Sequence, residues 1–243
     1  MPRIAFPQTV DRLDPSWWSA GDDEEPGEEP IDLHPRDHPT GAMTLPLLLA
    51  SASPRRRELL ERIGLAIEVH PADVDERAQD GEAPEAYVAR IARSKAIAIA
   101  GRSDHWVLAA DTTVTLDGAI LGKADTPEEA TKMLRWLSGR THRVLTAFVL
   151  VGERDGKTCL REGLVATEVT MVDASAATLA DYVASGEWRG KAGAYAIQGI
   201  GSALVSQIRG SVTNVIGLPL AEVIAALREV GAPLPRFAGG IAA

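Results

Sequence analysis

The stretch LLLASASPRRRELLERIGL, residues 47–65, decides the fold of this chain. Its apolar run over 47–50 predicts a buried strand, and the small residues after it predict a loop. The spacing of the following apolar residues predicts a helix over 54–63, with Ser53 as its N-cap and Pro54 in its first turn. A strand, a small-residue loop and a helix N-terminus in this order offer free N–H groups to an anion.

Three consecutive arginines at a helix start are unexpected, because that end carries partial positive charge and prefers acids. Arg55 and Arg56 fall in the first predicted turn, where a bound phosphate would remove the conflict. The alternative is a solvated basic turn, in which Arg57 pairs with Glu61 four residues later. The stretch is not a P-loop, because it lacks the GxxxxGK[ST] pattern. These residues alone leave both interpretations open.

The composition is that of a globular protein, with 243 residues of which 45% are hydrophobic and 24% charged. No apolar run is long enough for a membrane helix, and the first residues lack the pattern of a signal peptide. Cys159 is the only cysteine, which excludes a disulfide framework and a thiolate metal site. We therefore expect a cytoplasmic protein with no membrane partner.

The net charge of −9 is concentrated at the N-terminus. Residues 1–42 contain ten acidic and three basic residues, whereas residues 43–243 contain 24 and 22. The acidic segment is also rich in proline and glycine, so it predicts a disordered extension before a single domain over 43–243. Because that domain is nearly neutral, we expect no nucleic acid partner.

Short apolar runs alternate with helical patterns after residue 64. The chain predicts an α/β fold with a mixed sheet, because hairpin signals such as Asp117-Gly118 occur among the helices. The stretch over 186–217 is rich in glycine, and no helix or strand is predicted in it. The remaining predicted elements are strands over 65–70, 106–110, 114–121, 143–151 and 164–172, with a turn at Asp155-Gly156, and helices over 83–100, 126–138, 175–184 and 219–230.

Lys95 falls on the apolar stripe of the predicted helix over 83–100, which is otherwise formed by Val88, Ile91, Ala92 and Ile99. A lysine that points toward the core is costly unless it has a partner of opposite charge. The alternative is that the side chain snorkels and its ammonium reaches water.

Asp111 follows the apolar run WVLAA and is expected to end a strand. Ligands of α/β sheets gather at the carboxyl ends of strands, where a carboxylate can hold a metal or orient a water. The alternative is an ordinary turn-forming aspartate. Together with Glu76, Lys123 and the arginines, Asp111 suggests a metal–polyphosphate site.

Gln198, within KAGAYAIQGIG, could form hydrogen bonds with the edge of a base, although a tight glycine loop explains the stretch equally well.

Six motifs in order extend along the domain: LASASPRR (49–56), VDE (74–76), RSKA (93–96), AADT (109–112), LGK (121–123) and KAGAYAIQGIG (191–201), followed by NVIGLPL (214–220). The set resembles the Maf family of nucleoside triphosphate pyrophosphatases, once called septum formation inhibitors. The resemblance covers about residues 45–230. It implies an inosine triphosphate pyrophosphatase-like fold of two lobes with a central cleft, and often a homodimer.

The resemblance implies hydrolysis of a nucleoside triphosphate to the monophosphate and pyrophosphate with a divalent metal, Mg²⁺ or alternatively Mn²⁺. It makes Asp111 the catalytic base and assigns Asp111 and Glu76 to the metal. Arg55, Thr112 and Gln198 match the family's specificity positions. The predicted substrate-binding residues are Ser51, Arg55, Arg56, Lys95, Thr112, Lys123, Lys191 and Gln198.

The motifs ADT and IQG resemble the subfamily that cleaves dTTP and UTP. Two alternatives remain at this point. The same chemistry could act on another or modified base, such as that of 7-methyl-GTP. The protein could instead be a nucleotide-binding regulator of cell division with little turnover.

Overall fold

A computed structural model describes residues 45–100, 105–154 and 156–235. The predicted extension over 1–42 and Asp155 of the predicted turn lie outside these residues. In the described part of the chain, no helix is both long and apolar enough to span a bilayer.

One mixed sheet contains all seven strands of the described residues. Its order is β2-β1-β3-β5-β6-β7, and β4 pairs with β3. β1 is parallel to β2 and β3, and the other neighbours are antiparallel, so the predicted α/β class is confirmed. The strands are β1 (Leu47–Leu49), β2 (Ile67–Val69), β3 (Val107–Leu116), β4 (Ala119–Leu121), β5 (Thr141–Arg154), β6 (Lys157–Met171) and β7 (Val205–Arg209).

Helices cover both faces of the sheet, and their ends follow the capping signals of the sequence. Thr126 accepts a hydrogen bond from the Glu129 N–H, and Ser175 accepts one from the Thr178 N–H. Ser53 stands at the N-cap of the first helix, but its side chain makes no capping bond. The helices are α1 (Pro54–Arg62), α2 (Pro84–Ala100), α3 (Pro127–Leu137), α4 (Ala176–Ala184), α5 (Val212–Ile216) and α6 (Leu220–Val230).

Two predictions about chain segments were wrong. β3 does not end at Asp111 but continues to Leu116, because the β-branched residues after Asp111 suit a strand and pair with β5. The region over 186–217 is not only loop, since it contains β7, α5 and a 3₁₀ helix over Ile200–Leu204. Glycines at the ends of these short elements hid them from pattern analysis.

The core consists of apolar clusters on the two faces of the sheet. α2 packs on one face through Val88, Ile91 and their neighbours. On the other face, one cluster joins α1 and α6 to the first half of β3, and a second joins α3 and α4 to its second half. Thr112 lies between Ala110 of one cluster and Val114 of the other, at the boundary between the two clusters.

Acidification is expected to destabilise this core through His142. The ring is 2% exposed, and burial lowers its pKa to about 4. Because the unfolded chain takes up this proton near pH 6.5, the stabilisation is complete above that pH and is lost as the pH falls toward 4. We expect about 1 kcal/mol less unfolding free energy at pH 5.5 than at 6.5. Urea unfolding at both pH values measures this loss, and an equal loss in His142→Gln would contradict it.

Candidate active site

A cavity of about 310 Å³ opens at the edge of β3, beside the loop that joins β1 to α1. Its lining includes every residue that the sequence assigned to the site. These residues are Ser51, Arg55, Arg56, Glu76, Lys95, Asp111, Thr112, Lys123, Lys191 and Gln198.

The strand pairing explains why a cavity forms there. On one edge of β3, Val107 and Leu108 pair with β1, and the residues from Val114 onward pair with β4. Among the described residues, no ladder partner covers the segment between these two pairings on that edge. Asp111 and Thr112 occupy this segment, and successive strand residues point to opposite faces. The gap therefore exposes one side chain from each face of the sheet to the same cavity.

Asp111 projects toward α2 and meets Lys95. The Lys95 Nζ donates to Asp111 Oδ1 at 2.8 Å and lies 2.6 Å from Glu76 Oε1. Lys95 and Asp111 are 6% and 7% exposed, so this ion pair is buried. The predicted pairing of Lys95 is confirmed, and the snorkelling alternative is wrong. The buried lysine holds two carboxylates at one point of the cavity wall.

Glu76 comes to this point on the loop between β2 and α2. The Tyr87 hydroxyl donates to the Glu76 carbonyl at 3.0 Å, which fixes the loop to α2. Burial alone would raise the pKa of the Glu76 carboxyl, but Lys95 and Lys123 outweigh it and hold the pKa below its usual value. Lys123 lies 3.3 Å from Glu76 Oε2 and is mostly exposed. Asp75 instead turns away and binds Arg77.

The side chain of Arg56 is buried and bound by neutral acceptors. It donates to Gly217 O at 2.7 Å, to Ser51 Oγ at 2.8 Å and to Thr112 Oγ1 at 2.9 Å. Burial lowers its pKa, although Asp111 raises it, and an arginine stays charged regardless. Gly217 permits this approach with a φ of 134°. Among the described residues, neither Arg55 nor Arg56 has an ion-pair partner, as expected for side chains that await an anion.

Arg57 is exposed, whereas Arg56 is buried. Substituting each of them therefore tests whether this turn is a solvated surface or part of the site. Its guanidinium binds Glu61 at 2.7 Å in solvent. We expect Arg57→Ala to change the unfolding free energy by less than about 0.5 kcal/mol and to leave activity unaltered. Arg56→Ala should reduce both. Denaturant unfolding and steady-state kinetics measure these effects, and equal losses in the two variants would contradict the distinction.

Lys191 and Arg55 complete the basic wall. Arg55 Nε donates to Ile216 O at 3.4 Å, and Lys191 Nζ donates to the Glu187 carbonyl. Burial and the charge of Arg55 lower the pKa of Lys191. The cavity is thus lined by five basic side chains and two carboxylates, an excess of three positive charges. Such a lining favours a ligand with several negative charges.

Gln198 sits at the cavity mouth on a loop that Glu187 anchors. The Glu187 carboxylate accepts hydrogen bonds from the N–H groups of Ile200 and Gly201 at 2.8 and 2.7 Å. Among the described residues, the Gln198 side chain has no hydrogen-bond partner, so its amide is available to a ligand. Sequence analysis missed Glu187, because no pattern in the chain links it to residues thirteen positions away.

Loss of the Glu187 anchor is expected to weaken substrate binding more than turnover. Glu187→Ala leaves two N–H groups without their acceptor and frees the loop that carries Gln198. We expect KM to rise by roughly 5-fold with kcat nearly constant. Steady-state kinetics measures the split, with Glu222→Ala on the exposed side of α6 as the control. A fall in kcat at unchanged KM would contradict this role.

The donor set suits a hard divalent cation. Asp111 and Glu76 converge on one ammonium, and Mg²⁺ sites commonly use one or two carboxylates with substrate phosphates. In the described part of the chain, no group of three or more His, Cys, Asp or Glu side chains forms a closed metal site. The residues therefore fit a cation that shares its coordination with a ligand.

Comparisons with known proteins agree on one family. The profile of a family described as Maf-like protein matches residues 46–230. The chain is 52% identical over 189 residues to a protein of Anaeromyxobacter dehalogenans (strain 2CP-1 / ATCC BAA-258) named dTTP/UTP pyrophosphatase, covering 78% of this chain and 96% of that protein. A Myxococcus xanthus (strain DK1622) protein of the same name is 50% identical over 190 residues, covering 78% and 94%.

Solved structures give a more distant match. A crystal structure titled nucleoside-triphosphatase / dITP/XTP pyrophosphatase, from Mycobacterium abscessus, matches with 17% identity and a TM-score of 0.39. The match covers 76% of this chain and 95% of that one.

Proposed function

This chain belongs to the Maf-like protein family, and from that premise we propose that it is a nucleoside triphosphate pyrophosphatase. The products are the nucleoside monophosphate and pyrophosphate, and dTTP and UTP are the preferred substrates. The observation that carries the proposal is the cavity lining, in which five basic side chains surround two carboxylates. That lining matches a triphosphate, and relatives named dTTP/UTP pyrophosphatase support the base preference.

Asp111 is the general base in this proposal. Its Oδ1 is bound by Lys95, which orients the carboxylate and leaves Oδ2 for a water. Proton abstraction from that water directs its attack at the α-phosphorus and releases pyrophosphate. General-base assistance of this kind contributes typically ~10²–10⁴-fold.

The basic wall binds and orients the triphosphate. Arg55, Arg56, Lys123 and Lys191 donate to phosphate oxygens, with Ser51 beside Arg56. Positioned cations stabilise the charge that develops on the leaving pyrophosphate. Gln198 and Thr112 face the nucleoside. A divalent cation held by Asp111 and Glu76, which we propose to be Mg²⁺ with Mn²⁺ as the alternative, would neutralise phosphate charge when bound.

Pyrophosphate release by the purified full-length chain tests the function. The panel is dTTP, UTP, CTP, GTP, ATP and 7-methyl-GTP, with Mg²⁺, with Mn²⁺ and with EDTA. Turnover fastest on dTTP and UTP, and abolished by EDTA, is the expected result. Preference for 7-methyl-GTP would retain the mechanism and overturn the base assignment. Stoichiometric binding without turnover would favour the regulatory alternative.

The domain, the oligomer and the compartment are further parts of the proposal. We propose that residues 43–243 form the catalytic domain, that two copies associate, and that the enzyme works in the cytoplasm. A chain without residues 1–42 should retain kcat/KM.

Analytical ultracentrifugation should give twice the chain mass, and a monomer at assay concentration would remove the dimer from the proposal. Cell fractionation tests the compartment.

A further inference from the structure

A row of polar side chains extends from Arg56 into the sheet. Arg56 Nη2 donates to Thr112 Oγ1 at 2.9 Å, and Thr112 Oγ1 lies 2.9 Å from Thr146 Oγ1. Thr146 Oγ1 in turn donates to Asn214 O at 3.0 Å. Thr112 and Thr146 are opposite residues of β3 and β5, and Thr146 is fully buried.

The two ends of the row restrict the direction of its protons to two arrangements. A guanidinium can only donate, and a carbonyl can only accept. Thr146 gives its one proton to Asn214 O, so the 2.9 Å contact between the threonines is a hydrogen bond when Thr112 gives its own proton to Thr146. The other arrangement would send the Thr112 proton to Gly217 O at 3.4 Å, which is also inside the protein. In both arrangements Thr112 has no proton for a ligand, and in the first it keeps one free lone pair.

Ser51 contacts the same guanidinium but differs from Thr112 in that it can donate a proton to a ligand. Its oxygen accepts from Arg56 at 2.8 Å and from the Ser53 N–H at 3.3 Å. Within the described residues its proton has no acceptor, so Ser51 can donate to a phosphate oxygen. Thr112 cannot, because phosphate oxygens at neutral pH are acceptors. The two hydroxyls therefore face different parts of a nucleotide.

We propose that Thr146 is a positioning residue for base selection, because it holds the Thr112 hydroxyl as an acceptor for the N3–H of uracil or thymine. Cytosine presents an unprotonated nitrogen at that place and is disfavoured. The inference rests on the proposed function and deepens it, since it names the group that discriminates between pyrimidines.

The surroundings of Thr112 favour a base over a sugar hydroxyl as the donor. Val114 and Val144 are the next opposite pair on the same face of β3 and β5, and both line the cavity. Ile197 and Val215 add to this apolar wall. Aliphatic side chains suit the flat face of a pyrimidine ring, whereas a ribose is polar on most of its surface.

The test compares Thr146→Val with Thr146→Ser. Valine keeps the shape but removes the acceptor at 2.9 Å, so only the more distant Gly217 O, at 3.4 Å, competes with the cavity for the Thr112 proton. Asn214 O keeps the Gly217 N–H at 3.0 Å, which limits the damage to the fold. We expect the ratio of kcat/KM for UTP to that for CTP to fall roughly 10-fold in Thr146→Val. Thr146→Ser should retain the ratio, and an unchanged ratio in the valine variant would overturn the proposal.

Substrate analogues test on the unmodified enzyme whether N3–H is the donor to Thr112, and this test does not depend on a variant that folds. The triphosphate of 3-deazauridine replaces N3–H by C–H, and its kcat/KM should be roughly 10-fold below that of UTP. Equal turnover of the two would overturn the proposal. A loss confined to 3′-deoxy-UTP would assign the donor to the sugar and contradict it. Failure to hydrolyse dTTP or UTP at all would instead refute the proposed function, and the same ratios would then be measured by binding titration.

Discussion

Replacing Asp111 with asparagine is expected to lower kcat by at least about 100-fold while the nucleotide still binds. Asparagine keeps an oxygen that can accept from Lys95, which lies 2.8 Å from Asp111 Oδ1 in the native site. The second carboxylate oxygen is replaced by an amide NH2 group, which cannot take a proton from water. The loss therefore falls on the chemical step and not on the phosphate contacts.

Single-turnover pyrophosphate release measures that step, and binding of a non-hydrolysable triphosphate measures affinity. Asp75→Asn is the matched control. Asp75 is an exposed carboxylate next to Glu76 in the sequence, and it pairs with Arg77. It should retain native kinetics. Near-normal turnover in Asp111→Asn would remove Asp111 from the role of base.

Replacing Lys95 with methionine is expected to damage stability and activity together. The methionine leaves the buried Asp111 and the half-buried Glu76 facing each other without their shared cation. Removing one partner of a buried ion pair costs about 3–5 kcal/mol of unfolding free energy. We also expect kcat/KM to fall by at least about 10-fold, because the carboxylates lose their orientation.

The pH dependence of this variant has a definite sign. Lys95 helps to hold the pKa of Glu76 below its usual value. That contribution is complete above the pKa of the unfolded carboxyl, near 4.5, and is lost as the pH falls through the lower folded value. The stability gap between native enzyme and variant should therefore be largest above about pH 5 and should narrow in acid.

Urea unfolding at pH 7 and pH 4 measures the gap. Lys123→Met is the control, since Lys123 is exposed and lies 3.3 Å from the same glutamate. It should change the unfolding free energy by less than about 1 kcal/mol. A gap of equal size at both pH values would show that Lys95 acts through packing rather than charge.

Local patterns predicted which side chains need partners where one residue type carried a physical conflict. Lys95 on an apolar stripe required a partner, and arginines at a helix start predicted a bound anion. The structure supplies Asp111 and Glu76 to Lys95, whereas Arg56 has neutral acceptors and its anion stays a prediction. The end of β3 was wrong because the apolar run stops at Asp111, although the β-branched residues that follow favour a strand.

Roles that depend on distant contacts could not be predicted. Thr146 and Asn214 are 68 residues apart, and Glu187 reaches 13 residues along the chain. Neither contact follows the periodicity of a helix or a strand, and both depend on how the glycine-rich region folds in three dimensions. Hydroxyl and amide side chains carry little local signal, so their importance emerges only when donors and acceptors are counted in three dimensions.

Asp111 and Thr112 are adjacent in β3 but belong to different faces of the sheet. Asp111 is hydrogen-bonded to Lys95, whereas Thr112 is hydrogen-bonded to Arg56 and Thr146, and among the described residues no side chain is bonded to both. Substitutions of the neutral Thr112 and Thr146 should therefore combine more nearly additively with those of Lys95 than substitutions of Arg56, whose pKa the charge of Asp111 raises. A lineage with this architecture can change which nucleotide it removes through a few mutations on one face, while the way it breaks the phosphoanhydride stays intact on the other.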